Sequence, residues 1–190
     1  MVFALSAATT GFWTYGPLIL KILFDTHPLV CGYILAGEAV AWSLATMAVS
    51  KVPIDCDRWV IRVGASLVAL GAGGFALAVP AGMLAGLILC ALLQGVGFGL
   101  CWPSIVHRLA RFSAADERAL AVTSPETVQR IGYAVGTAAV GIAANLSGLA
   151  AGLSIAAVKA AAFWVFAAFL PVLLLALMSA WRFTRDAAEA

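Results

Sequence analysis

Residues 83–111, MLAGLILCALLQGVGFGLCWPSIVHRLAR, hold an apolar run that reaches Val106 and then gives way to Arg108 and Arg111. A helix rises about 1.5 Å per residue and the hydrocarbon core of a bilayer is roughly 30 Å thick, so 83–106 is long enough to cross it. In lipid an isolated strand would leave its backbone groups unpaired, which makes this run a transmembrane helix. Positive side chains are held on the cytoplasmic face during insertion, so the two arginines mark its inner end.

The same reading extends in both directions along the chain. Five more segments have the length and apolarity of a span, at 2–24, 29–49, 59–79, 125–144 and 154–181. Lys51, Arg58 and Arg62 follow the second span, Arg118 joins Arg108 and Arg111 after the fourth, and Arg182 and Arg185 follow the sixth. These are eight of the eleven basic side chains, while the connections at 25–28, 80–82 and 145–153 carry none. The alternation predicts an all-α membrane protein, a single six-helix bundle over 1–190 in the cell (inner) membrane. Both termini and a tail at 182–190 are then cytoplasmic.

Composition agrees. The chain of 190 residues is 64% hydrophobic and 11% charged, with a mean hydropathy of +1.05, too little polar surface to coat a soluble globule. Its net charge of +2 sits in the inner loops and reports orientation, leaving no basic stripe for nucleic acid. Cys31, Cys56, Cys90 and Cys101 show no C-x-x-C spacing, and three lie in apolar runs where a thiol behaves as a small hydrophobe. That pattern implies no disulfide framework, metal or cofactor. Met1 leads into an apolar run with neither the basic region nor the small-residue cleavage site of a signal peptide, so the first span is expected to be retained. A chain cut from a longer protein would begin the same way.

Enzyme chemistry finds little support. Gly64-Ala65-Ser66 is followed by Leu67 where a nucleophile elbow needs glycine, His27 and His107 fall near the membrane surfaces, and no H-E-x-x-H occurs.

Within the spans, glycines recur where helices approach closely, as in Gly95 with Gly99 and Gly132 with Gly136. Pro17, Pro103 and Pro171 each remove a donor and free the carbonyl four residues earlier, so kinks are expected in spans one, four and six. Ser124, Pro125 and Glu126 read as the start of the fifth helix. Prolines beside aromatics in spans one and four hint at two inverted triplets of helices.

The charges left in the membrane carry the functional reading. Lys21 has Asp25 four residues on, and Arg130 has Glu126 one turn earlier, with Gln129 adding polarity beside it. Lys159 is deep but can snorkel outward. Glu38 sits near the middle of span two among Ile34, Leu35, Ala41 and Trp42, with no partner on its own helix. An ionised carboxylate there costs at least a few kcal/mol, so it must be protonated, face water or pair across helices. A conformational change that exchanged those surroundings would load and release a proton. Gln94, in mid-span, serves either a substrate or a helix–helix hydrogen bond.

These segments together resemble the carboxyl-terminal half of a major facilitator superfamily transporter, over nearly the whole chain and with drug-efflux-type members nearest. The resemblance rests on Phe12-Trp13-Thr14-Tyr15-Gly16-Pro17-Leu18, Gly32-Tyr33-Ile34-Leu35-Ala36-Gly37-Glu38, Leu93-Gln94-Gly95-Val96-Gly97-Phe98-Gly99 and the run from Thr127 to Gly136. Asp57, Arg58 and Arg62 are similar to the family's cytoplasmic gating-loop motif, with Trp59 and Val60 where glycine is usual. The resemblance implies half of a twelve-helix transporter built as a 3+3 inverted repeat. Its partner would be a missing amino-terminal six-helix half or a second copy. It further implies a central cavity that opens alternately to either side, faced by Trp13, Tyr15, Glu38, Gln94 and Arg130, with Gln129 beside them. Aromatic rings and one carboxylate suit a lipophilic, often cationic small molecule exchanged against protons.

Overall fold

A computed structural model describes residues 1–53 and 56–185. Among these residues the structure is helical throughout, with no strand: α1 (Val2–Leu23), α2 (Pro28–Val49), α3 (Asp57–Ala78), α4 (Leu84–Phe112), α5 (Arg118–Leu146), α6 (Ile155–Ala167) and α7 (Leu170–Arg185), plus a 3₁₀ turn at Leu149–Ala151. Four segments are long and apolar enough to cross a bilayer, namely Pro28–Val49, Asp57–Ala78, Leu84–Phe112 and Ile155–Arg185. Helices α1 and α5 have the length but are more polar, because they carry threonines, Gln129 and Arg130 along with their apolar residues.

Three boundaries differ from the sequence reading. Helix α4 continues past Val106 to Phe112, since the polar residues there end the lipid-like composition without ending the hydrogen-bonding ladder. Helix α5 begins at Arg118, so Ser124 and Pro125 lie inside it instead of at its start. Pro125 cannot donate to the Ala121 carbonyl, and Ser124 Oγ donates to that oxygen in its place at 3.2 Å. The tail expected at 182–190 is helical as far as Arg185, and 186–190 lie outside the described residues.

The prolines show why some helices continue and another breaks. In α4, Pro103 frees the Gly99 carbonyl, which accepts a bond from Thr46 Oγ1 of α2 at 3.3 Å. The helix runs on. Pro171 has no N–H to offer the carbonyl of Ala167, the last residue of α6, and there the expected sixth span divides into α6 and α7.

Apolar side chains gain little by leaving lipid for each other, so this bundle depends on close packing. Helix α4 lies along both α2 and α3, α1 lies along α5, and α6 and α7 lie against α3 and α1. Three seams are tight enough to require glycine, α3 on α4 at Gly64, Gly71 and Gly97, α2 on α4, and α1 on α5. A Cβ at Gly95 would strike the backbone carbonyl of Glu38, and one at Gly132 would lie 2.8 Å from the carbonyl of Phe3. Gly99 and Gly136 repeat these approaches one turn on, against Trp42 and Ala7. At the core Phe12, Phe75 and Phe166 stack in series, with centroids 4.7 and 5.0 Å apart, and join α1, α3 and α6. Each such pair contributes about 0.5–1.5 kcal/mol beyond its buried area.

Candidate functional site

The α2–α4 seam brings the two mid-span polar groups together. Because Gly95 lets the backbones touch beside Glu38, the neighbouring Gln94 side chain reaches across, and its Nε2 donates to Glu38 Oε1 at 2.6 Å. Glu38 is 1% exposed and Gln94 0%. The pair is incomplete, since Glu38 Oε2 and Gln94 Oε1 have no hydrogen-bond partner among the described residues. No cation lies within ion-pair distance of Glu38 among them either. Further along the same seam Trp42 stacks on Phe98 at 5.3 Å, and beyond it Thr46 meets Gly99.

Beside this seam lies a cavity of about 490 Å³, lined by Thr10, Trp13 and Thr14 of α1, Trp42 of α2, and Gln129, Tyr133 and Thr137 of α5. The Trp13 indole is a polar neighbour of the Glu38 carboxyl, and Tyr133 lies within electrostatic range of it. Gln129 is 9% exposed, and its Nε2 has no partner among the described residues. An aromatic wall, hydroxyls and a spare amide donor therefore surround one space, while Glu38 and Gln94, expected to face it, stay buried in the seam beside it and outside its lining. Such a lining can hold a flat or charged apolar molecule by contact and cation–π attraction.

The structure separates the other expected contributors from this space. Tyr15 packs with Leu18, Ile19 and Val158 on the α6 side, since residues two apart on a helix point in nearly opposite directions. Arg130 forms a 2.7 Å ion pair with Glu126, both exposed, and so lies off the cavity wall that the adjacent Gln129 joins. Lys21 and Asp25 face each other at 4.0 Å on the exposed end of α1.

Of the three gating-loop residues, two enter one network. Asp57 accepts both of its bonds from Arg108 Nη1, each 2.8 Å, with the two side chains 10% and 7% exposed. Arg108 Nη2 approaches the Thr184 carbonyl at 3.5 Å, and Arg62 Nε donates to Thr184 Oγ1 at 2.8 Å. The ends of α3, α4 and α7 are thereby tied together. Arg58 stays exposed over the Trp59 ring at 5.6 Å. Sequence reasoning missed Arg108, Thr184 and Thr46. Asp57 carried the one usable signal, an acid at the membrane end of a span among many cations.

Similarity to known proteins points the same way as the chemistry. Over 141 residues the chain is 30% identical to proteins named as probable multidrug-efflux transporters in two strains of Mycobacterium tuberculosis. The match covers 70% of this chain and 29% of each relative's length. No protein-family model matches the chain, and no solved structure matches it. With its apolar helices and transporter relatives, the chain is a multi-pass membrane protein.

Proposed function

We propose that the chain forms the carboxyl-terminal six-helix half of a major facilitator-type permease, one that expels lipophilic, often cationic small molecules in exchange for protons. The observation that carries this reading is the buried Glu38 beside the aromatic cavity, with one carboxyl oxygen unpaired. A carboxylate so placed is costly, and a single proton would turn the unpaired oxygen into a donor. Rocking of one bundle against another would then exchange a dry, protonated state for a wet or cation-paired, ionised one. Drug efflux as the direction of transport is suggested by the names of the relatives.

Helix pairing supports the 3+3 inverted repeat. The first helix of each triplet packs on the second helix of the other, α1 on α5 and α4 on α2. The relative polarity of α1 and α5 fits as well, because these two helices supply six of the seven cavity residues. On this reading α1 and α5 also span the membrane, α6 and α7 form one broken span, and both ends face the cytoplasm of a cell (inner) membrane. The Asp57–Arg108–Thr184–Arg62 network is then a cytoplasmic clasp.

The test uses membrane vesicles from cells carrying the intact gene. Substrate addition should discharge a pH gradient in wild-type vesicles, and Glu38→Gln should abolish that discharge while leaving membrane insertion and substrate binding in place. Proton-coupled discharge that survives the substitution removes Glu38 from the mechanism.

A further inference from the structure

We infer that the end of the bundle where α3 begins and α7 finishes is a binding site for an anionic phospholipid, its phosphate held by Arg62 and Arg58. The site lies apart from the cavity, which neither α3 nor α7 lines, and lipid retention is read without transport.

Charge balance comes first. Arg58 and Arg62 of α3 and Arg182 and Arg185 of α7 cluster at these two helix ends, and none makes an ion pair among the described residues. Among the described residues the acid at these helix ends, Asp57, has both oxygens committed to Arg108.

Preorganisation comes second. The Arg62 guanidinium lies 4.4 Å from the Trp181 ring centre and 5.4 Å from that of Trp59. Its Nε is fixed by Thr184 Oγ1, a buried hydroxyl that itself donates to the Ala180 carbonyl at 2.9 Å. The two terminal nitrogens make no hydrogen bond among the described residues, so four N–H groups stay available in one plane. A guanidinium held that way matches two phosphate oxygens with little ordering left to do. Arg58 sits one helical turn away over the Trp59 ring.

The surroundings choose a lipid over a soluble anion. Trp59 and Trp181 are 53% and 49% exposed at the ends of two segments apolar enough to cross a bilayer, the depth at which indoles meet headgroups. Below them Val63 of α3 and Leu174 and Met178 of α7 are exposed apolar side chains that acyl chains can cover. Basic clusters at such an interface attract anionic headgroups.

The test is native mass spectrometry of the full chain released from mixed micelles of phosphatidylglycerol and phosphatidylcholine. Wild-type protein should retain phosphatidylglycerol selectively, and Arg62→Gln should reduce that retention about fivefold or more. Thr184→Val, which keeps every charge and removes the anchor, should give an intermediate loss, so the outcome does not hang on one variant folding. Lys159→Gln, at the other end of the bundle, should change nothing. Equal retention of the two lipids by wild-type protein, or undiminished selectivity in both Arg62→Gln and Thr184→Val, would overturn the inference. Displacement of the lipid by glycerol phosphate would overturn it too, by making the site one for soluble anions.

Discussion

At the scale of single residues, the Glu38–Gln94 contact decides how the rest of the site behaves. Gln94→Leu would leave the buried carboxyl without its donor, a loss of about 1–3 kcal/mol for an unsatisfied group. Replacing both, Glu38→Leu with Gln94→Leu, removes the need along with the donor, so the double variant should be more stable than Gln94→Leu alone. Thermal unfolding in detergent measures this, and a double variant less stable than Gln94→Leu would show that the two side chains do not form a pair. Both residues were legible in the sequence, because a polar side chain at the middle of an apolar run announces itself. Their partnership was not legible, since it joins helices 56 residues apart and depends on the absence of a side chain at Gly95. The opposite orientations of Trp13 and Tyr15 were in principle readable, because about 100° per residue already sends them to different faces. The Arg130–Glu126 spacing was likewise a sufficient account of that charge without any role in the cavity.

At the scale of elements, apolar length located the helices and the prolines governed how they continue. What the sequence could not disclose is which freed carbonyl finds a substitute donor. Gly99 finds Thr46 on a neighbouring helix and Ala121 finds Ser124 within its own. The α6–α7 break follows at the proline where the helix ladder stops instead. Pro171→Ala should therefore fuse α6 and α7, because it returns a donor to Ala167 and removes a clash that costs about 3 kcal/mol in a helix interior. Hydrogen exchange is the measurement: amide protection over 167–171 should rise in the variant. Unchanged protection there would mean that packing against α3, and not the proline, holds the break. The early start of α5 has a similar origin. A serine, a proline and a glutamate in a row resemble a helix start, yet seven residues from Arg118 onward were already helical and Pro125 was accommodated within them.

At the scale of the whole molecule, the cavity is the feature that the proposed half-transporter would leave unfinished. Its lining comes from α1, α2 and α5 on one side of the bundle, and Trp13 in that wall is 48% exposed. Large apolar side chains such as Val128, Ile131 and Val135 are also exposed along α5. A compartment that opens alternately to two sides needs a second wall, either a separate six-helix half or another copy of this chain. The expected consequence is a dependence of transport on the number of bundles that share a vesicle. Reconstituted so that most vesicles hold one chain, the protein should bind a lipophilic cation but leave its gradient intact. As the loading rises, flux should either stay at zero, if a different half is required, or climb more steeply than in proportion to protein, if two copies suffice. Counting chains by photobleaching while following dye efflux from the same vesicles separates these cases. Flux already present in single-chain vesicles, and proportional to loading, would mean that six helices enclose a working pathway by themselves. The open cavity beside Glu38 would then be an entrance instead of half a chamber.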